Sequence, residues 1–163
     1  MKHSIVADTG ALISLAIMDL LPHINQLLGQ VYVPDKVIEE IQAGINMTGT
    51  NAINRALNKG WLIQQSITEN DLLIELNKSL DAGEAQAICF AINKNYYILI
   101  DEKKGRKVAK RYQLKVVGSL AVLLQAKENN LIPLVKPLLL KLKEHGYYIS
   151  EKLIRQILQK ANE

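Results

Sequence analysis

The sequence predicts an α/β fold in which helices cover both faces of a parallel sheet. Two observations carry that expectation. Short apolar runs alternate with stretches of helical period along the whole chain, and Gly and Pro residues punctuate the joins. The first run, "SIVAD", stays apolar until it stops at a carboxylate, the look of a strand buried on both faces. Crossovers between such strands are right-handed. No repeat, low-complexity tract or linker divides the sequence. Residues 1–163 are therefore expected to form one domain, with a core over about 4–125 and a helical appendage over about 131–163 that packs on the sheet or forms part of a dimer contact.

Taken in order, "SIVAD" is the first strand and "GALISLAIMDLL" an apolar helix. After Pro22 a short helix, "HINQLLG", leads to the strand "VYVP" and the helix "DKVIEEIQAG", closed by Gly44. "INMTGTNAINRALNKG" is ambiguous and partly helical, and "WLIQQSI" is a short extended piece. Two helices follow, "TENDLLIELNKSL" and "DAGEAQAICFAINKN". Then come the strand "YYILID", the basic helix "EKKGRKVAKRYQ", the short strand "LKVVG" and the helix "SLAVLLQAKENN". Pro133 opens "PLVKPLLLKLKEHG", and Ser150 caps a last helix reaching about Asn162.

Composition narrows the class. Hydrophobic residues make up 48% of the 163 and charged residues 22%, which suits a globular core and excludes a disordered chain. Only 5% are aromatic, so aliphatic side chains must fill the interior. Charges interrupt every apolar segment, so no membrane span is expected. The start "MKHSIVADTG" has no secretion-signal pattern. Cys89 is the only cysteine, which rules out an internal disulfide or a cysteine-held zinc and points to a reducing, cytoplasmic setting.

The net charge is +4, unevenly spread. Residues 1–100 carry 6 Lys and Arg against 10 Asp and Glu, while residues 101–163 carry 14 against 6. An acidic half joined to a basic half suits chemistry on a polyanion, which needs a metal site and phosphate contacts together.

In an open parallel sheet, function gathers at the carboxyl ends of the strands. Asp8 follows "SIVA" and Asp101 follows "YYILI". On the helix "DKVIEEIQAG", Glu40 shares a face with Val37 and borders Ile41, whereas Glu39 lies with Lys36 and Gln42, so Glu40 is the inward acid. Glu84 heads the apolar stripe of its helix, with Ile88 and Ala91 at i+4 and i+7. Carboxylates gathered at close range share protons or bind a hard cation. Mg²⁺ or Mn²⁺ suits oxygen ligands and activates water for attack on a phosphodiester. Each acid also has a plainer role open to it. Asp8 and Asp101 stand where helix caps do, Asp81 and Glu84 have capping-box spacing, and a mid-helix Glu40 is ordinarily a solvated charge.

The ordered segments "VADTGALISLA", "VYVPDKVIEEI", "LDAGEAQAICFA" and "YYILIDEKKGRKVAKRYQLKVVGSL" resemble the PIN-domain nucleases, and within them a prokaryotic branch with D-x-G-E-A and I-D-E-x-x-G-R-x-x-A segments. The resemblance covers roughly residues 4–125, and "NLIPLVKPLLLKLKEHGYYIS" is similar to the C-terminal part of that branch. It implies a three-layer α/β/α PIN-like domain with about five parallel strands and two C-terminal helices. It further implies a metal-dependent ribonuclease using Mg or Mn, with Asp8, Glu40, Glu84 and Asp101 as catalytic metal ligands and Thr9 and Ser119 as nearby hydroxyls. Many such relatives are toxins of toxin–antitoxin pairs and often pair with themselves. RNA, an antitoxin protein and a second copy of the chain are the partners implied. The third acid is more often Asp in the wider family, and Glu84 is one methylene longer. Glu102 follows Asp101, and Asp101 is preferred because it directly ends the strand.

On the basic helix, Val108, Ala109 and Tyr112 form the expected inward stripe, and Lys103, Lys107, Lys110 and Arg111 the outer surface. A charged face of this kind is usually only solvated. Because the first turn begins at the proposed metal site, Lys103, Lys104, Arg106 and Lys107 become candidate phosphate contacts that position RNA without reading its sequence. His3, His23 and His145 have no ligand spacing, and no nucleophile elbow or phosphate-binding glycine loop is present. The alternatives are a non-catalytic PIN-like module that binds RNA or protein, and a receiver-like phosphoacceptor. The latter needs an adjacent acid pair at the first strand, where "ADTG" has one acid.

Overall fold

Each of the five apolar runs becomes a strand, and the helices between them return the chain in the same direction every time. The structure is a computed structural model that describes residues 3–44 and 47–163, with only the backbone described at Met47 and Thr48. Met1 and Lys2, part of the stretch read for a leader, and Ile45 and Asn46, part of the ambiguous fourth helix, lie outside the described residues.

The elements run β1 (Ser4–Ala7), α1 (Thr9–Ile17), a 3-10 turn (Leu21–His23), α2 (Ile24–Leu28), β2 (Gln30–Pro34), α3 (Asp35–Ala43), α4 (Met47–Asn58) and β3 (Leu62–Gln65). They continue with α5 (Asp71–Asn77), α6 (Ala82–Lys94), β4 (Tyr97–Leu99), α7 (Lys103–Arg111), β5 (Val116–Val117), α8 (Ser119–Glu128), α9 (Lys136–Glu144) and α10 (Glu151–Lys160). The strands form one parallel sheet in the order β3-β2-β1-β4-β5. This is the α/β architecture that the alternation of runs predicts.

Strand alternation splits the core into two layers. Ile5, Ala7, Val31, Val33 and Leu99 join one apolar cluster with α1, α2, α4 and α8, while Val6, Ile98 and Ile100 join the other with α5, α6 and α7. The central strand β1 is thus covered on both sides. The helices α9 and α10 add Leu139, Leu142, Ile157 and Ala161 to the first cluster, so the C-terminal segment is built into the same core as the sheet.

Helix α1 stops sooner than its apolar run suggests. Asp19 takes a left-handed conformation (φ 56°), which Asp tolerates better than a branched residue, and the chain turns there. Asn95 ends α6 in the same way (φ 54°). Ser150 caps α10 as expected, accepting a hydrogen bond from the Leu153 N–H. Among the described residues no single helix is long and apolar enough to cross a membrane.

Candidate active site

The strand order reverses between β1 and β4: one half of the sheet grows outward through β2 and β3, the other through β5. At such a switch point the helices leaving the two neighbouring strands diverge and open a crevice at the carboxyl ends. Asp8 and Asp101 follow the two strands that flank this crevice. The Asp8 N–H donates to the Leu99 carbonyl (2.9 Å), which fixes the end of β1 against β4.

A cavity of about 450 Å³ occupies the crevice, lined by Asp8, Thr9, Glu40, Asp81, Glu84 and Glu102, with Lys104 at its edge. Five carboxylates therefore face one ammonium. Helix periodicity correctly separates the two acids of α3: Glu39 pairs with Lys36 on the exposed face, and Glu40 turns inward. Its carboxylate is locked at both oxygens, Oε2 accepting from the Thr9 hydroxyl (2.6 Å) and Oε1 from the Gly83 N–H (2.8 Å). A Cβ at position 83 would run into the Glu40 carboxylate, so glycine there leaves room for the Glu40 side chain as it is held by Thr9 and the Gly83 N–H. The D-x-G-E segment is thus a contact between two helices as well as a helix start.

Asp81 caps α6, its Oδ1 accepting from the Glu84 N–H (2.8 Å). Asp8 stands at the N-cap position of α1 but makes no side-chain cap hydrogen bond. Asp8 and Glu84 are 4% and 5% exposed, and Asp8 Oδ1 and Glu84 Oε1 are buried without a hydrogen-bond partner. A buried carboxylate oxygen left unpaired is costly. The cost appears in the acidities. Burial, with the charges of Glu84, Asp81 and Glu40 added, pushes Asp8 up to about 7 against the opposing Thr9 N–H. Burial and the charges of Asp81 and Glu102 push Glu84 up to about 7 as well, against the Asp81 N–H.

Asp101 turns away from this group. Its Oδ1 accepts from the Ser119 N–H (2.8 Å) and its Oδ2 from the Ser119 hydroxyl (2.6 Å), so it caps α8 from another element and lines a separate, neighbouring cavity. Glu102, the next residue, caps α7 and lines the acid cavity in its place. Of the six other residues singled out by sequence, Thr9 meets Glu40, Ser119 meets Asp101, and Lys104 reaches the acid cavity. Lys103 and Lys107 are exposed on α7. Arg106 is half-buried, with Nη1 donating to the Ile100 carbonyl (2.9 Å), so it braces the end of β4 rather than standing free. The inward side of α7 carries Gly105, Ala109 and the partly buried Val108, the last two as expected; Tyr112 is 41% exposed, contrary to the expectation from apolar spacing. Gly105 carries no side chain, so a count of apolar positions passes over it, although its backbone packs closely on Ile100.

Among the described residues, no three Asp, Glu, His or Cys side chains lie close enough together to enclose an ion unaided. The two partnerless oxygens nevertheless suit a hard divalent ion: Mg²⁺ commonly takes one or two carboxylates and fills its shell with water and substrate phosphate.

A family model described as a PIN domain (DUF3368) matches residues 4–163. Among solved structures, a PilT N-terminus domain protein from the hyperthermophilic archaeon Sulfolobus solfataricus P2 is similar, with 17% identity and a TM-score of 0.51 over 90% of this chain and 99% of that one. A domain of a functionally unknown protein from Methanocaldococcus jannaschii DSM 2661 is similar at 15% identity and a TM-score of 0.51, over 71% and 90% of the two chains. At these identities the two structures speak for the fold alone. No curated protein matches the sequence significantly.

Proposed function

The chain belongs to the PIN-domain family, whose members are commonly nucleases, and from that premise we propose that it is a Mg²⁺- or Mn²⁺-dependent endoribonuclease acting in the acid cavity at the ends of β1 and β4. The observation that carries the reading is the pair of buried oxygens, Asp8 Oδ1 and Glu84 Oε1, that no protein donor satisfies.

In this reading Asp8 and Glu84 would hold the ion, which would supply positive charge for the phosphate and lower the pKa of a water for attack. Glu40, locked by Thr9 and Gly83, adds negative charge from a fixed direction, and Glu102 does so from the α7 side. Asp101 acts as a positioning residue: by capping α8 it sets where Glu102 and the first turn of α7 stand. Lys104, with the exposed Lys103 and Lys107, draws the RNA backbone toward the acids. The lone thiol, Cys89, is buried and supports a cytoplasmic setting. A toxin role, with an antitoxin protein and a second copy of the chain as partners, follows from the same family reading.

The test is cleavage of end-labelled single-stranded RNA with Mg²⁺, with Mn²⁺ and with chelator. Cleavage is expected with either metal, absent with chelator, and reduced by about 100-fold or more in Asp8→Asn, the scale of losing one charge-stabilising group. Equal cleavage by Asp8→Asn sinks the reading, and RNA bound but uncut under every metal assigns the fold to a binding module.

A further inference from the structure

Beside the acid cavity lies a second one, of about 380 Å³, for which the proposed hydrolysis has no use. The two adjoin closely. Asp101 and Glu102 are consecutive, yet the first lines the second cavity and the second lines the acid cavity. Helix α1 also touches both, through Thr9 and Gly10 on one side and Ser14, one turn on, on the other; the Ser14 hydroxyl donates to the Gly10 carbonyl (3.0 Å). This adjacency is what a strand with one phosphate at the acids and its next nucleotide in the second cavity would require.

The lining of that cavity is of two kinds. Leu120, Leu142 and Leu153 form an apolar wall, and Arg106 supplies a guanidinium already anchored on the Ile100 carbonyl. Tyr148, also on the lining, is 93% exposed, the most exposed of the large hydrophobic residues among the described ones. A ring so exposed gains nothing from the fold. An apolar face, a fixed planar donor and a free aromatic ring match the two chemistries of a nucleobase, its π-surface and its polar edge.

We propose that this cavity is a nucleobase subsite: it takes the base of the nucleotide next to the scissile phosphate, stacked on Tyr148 with its edge toward Arg106. The inference rests on the endoribonuclease reading and specifies its substrate as single-stranded RNA with an unpaired base beside the cut. Double-stranded RNA keeps its bases stacked and offers none to the cavity.

The experiment uses single-stranded oligoribonucleotides with 2-aminopurine placed at successive positions, bound in Mg²⁺ to the Asp8→Asn protein so that the RNA stays intact. Quenching is expected at one position adjacent to the cut site. Adding Tyr148→Ala removes the quenching and weakens binding about tenfold, the scale of one base–aromatic stack; Tyr148→Phe keeps both. In the otherwise native protein, Tyr148→Ala raises KM and leaves kcat near its original value. Unchanged binding and quenching in Tyr148→Ala overturn the subsite. So does a dimer that Tyr148→Ala dissolves without altering RNA affinity, which assigns the face to a second copy of the chain. If the native protein still cleaves in a metal- and Asp8-dependent way, only the subsite has failed. No binding and no cleavage by any of these proteins overturns the subsite together with the nuclease reading.

Discussion

Asp8 and Glu84 are maintained at a cost to stability, and the cost depends on pH. The Asp8 carboxyl is raised from its ordinary 3.8 to about 7, and Glu84 from 4.5 to about 7. Between those limits the folded protein holds protons that the unfolded chain has released. Stability is therefore highest at the acid end of the window and falls as pH rises toward 7. Without divalent metal, the protein is expected to lose about 2 kcal/mol or more of unfolding free energy between pH 5.5 and pH 8, from Asp8 alone. Denaturant titrations at the two pH values check this. Asp8→Asn flattens the loss, and Mg²⁺ restores stability at pH 8 more than at pH 5.5, because it binds the ionised form. Stability that rises from pH 5.5 to pH 8 without metal contradicts the burial of these acids.

Which acid faces inward was readable where helix periodicity decides it, as for Glu40 against Glu39. It was not readable for Asp101, whose direction is set by the N–H and hydroxyl of Ser119, eighteen residues further along. A strand end points two consecutive residues to opposite sides, so choosing between Asp101 and Glu102 needs the partner as well as the position.

Among the elements, α3 and α6 are coupled through Gly83. An alanine at a helical glycine ordinarily gains about 0.5–1 kcal/mol. Here the added Cβ meets the Glu40 carboxylate, so Gly83→Ala is expected to destabilise by about 1–3 kcal/mol. Glu40→Ala in the same chain removes the clash. Chemical denaturation of the two single variants and the double variant should then give a coupling energy of opposite sign to the Gly83→Ala cost. Additive effects mean that the two helices do not meet there. The strands and most helices followed from the alternation of apolar runs, since a strand covered on both faces is simply apolar. The early stop of α1 at Asp19 and the burial of Gly105 on α7 did not, because one depends on a left-handed backbone and the other on a missing side chain.

At the scale of the whole molecule, the C-terminal helices are part of the load on the central sheet. Leu139 and Leu142 of α9 are buried in the cluster that holds β1. Leu139→Ala is expected to cost about 2–5 kcal/mol, as for a residue of the central sheet, within a single unfolding transition. A separate early transition of α9 and α10 contradicts this. The sequence read these helices as an appendage because their own apolar spacing says nothing of what they cover. The cavity formed by Arg106, Tyr147 and Tyr148 was hidden for the same reason: it exists only once the loop after α9 folds back onto α1 and α8. The charge asymmetry, by contrast, was visible from the start and carries through, with four of the cavity's five acids from the first half and Lys104 of α7 on its lining.

The central claim is that unpaired buried carboxylates stand ready for a divalent cation. Titration of Mn²⁺ at pH 8, followed by the loss of its free-ion electron paramagnetic resonance signal, tests it without any RNA. The account predicts saturable binding to the native protein, weakened about tenfold or more in Asp8→Asn and in Glu84→Gln, the scale of losing one site-defining group. Equal Mn²⁺ affinity in all three proteins, or none in any, contradicts it.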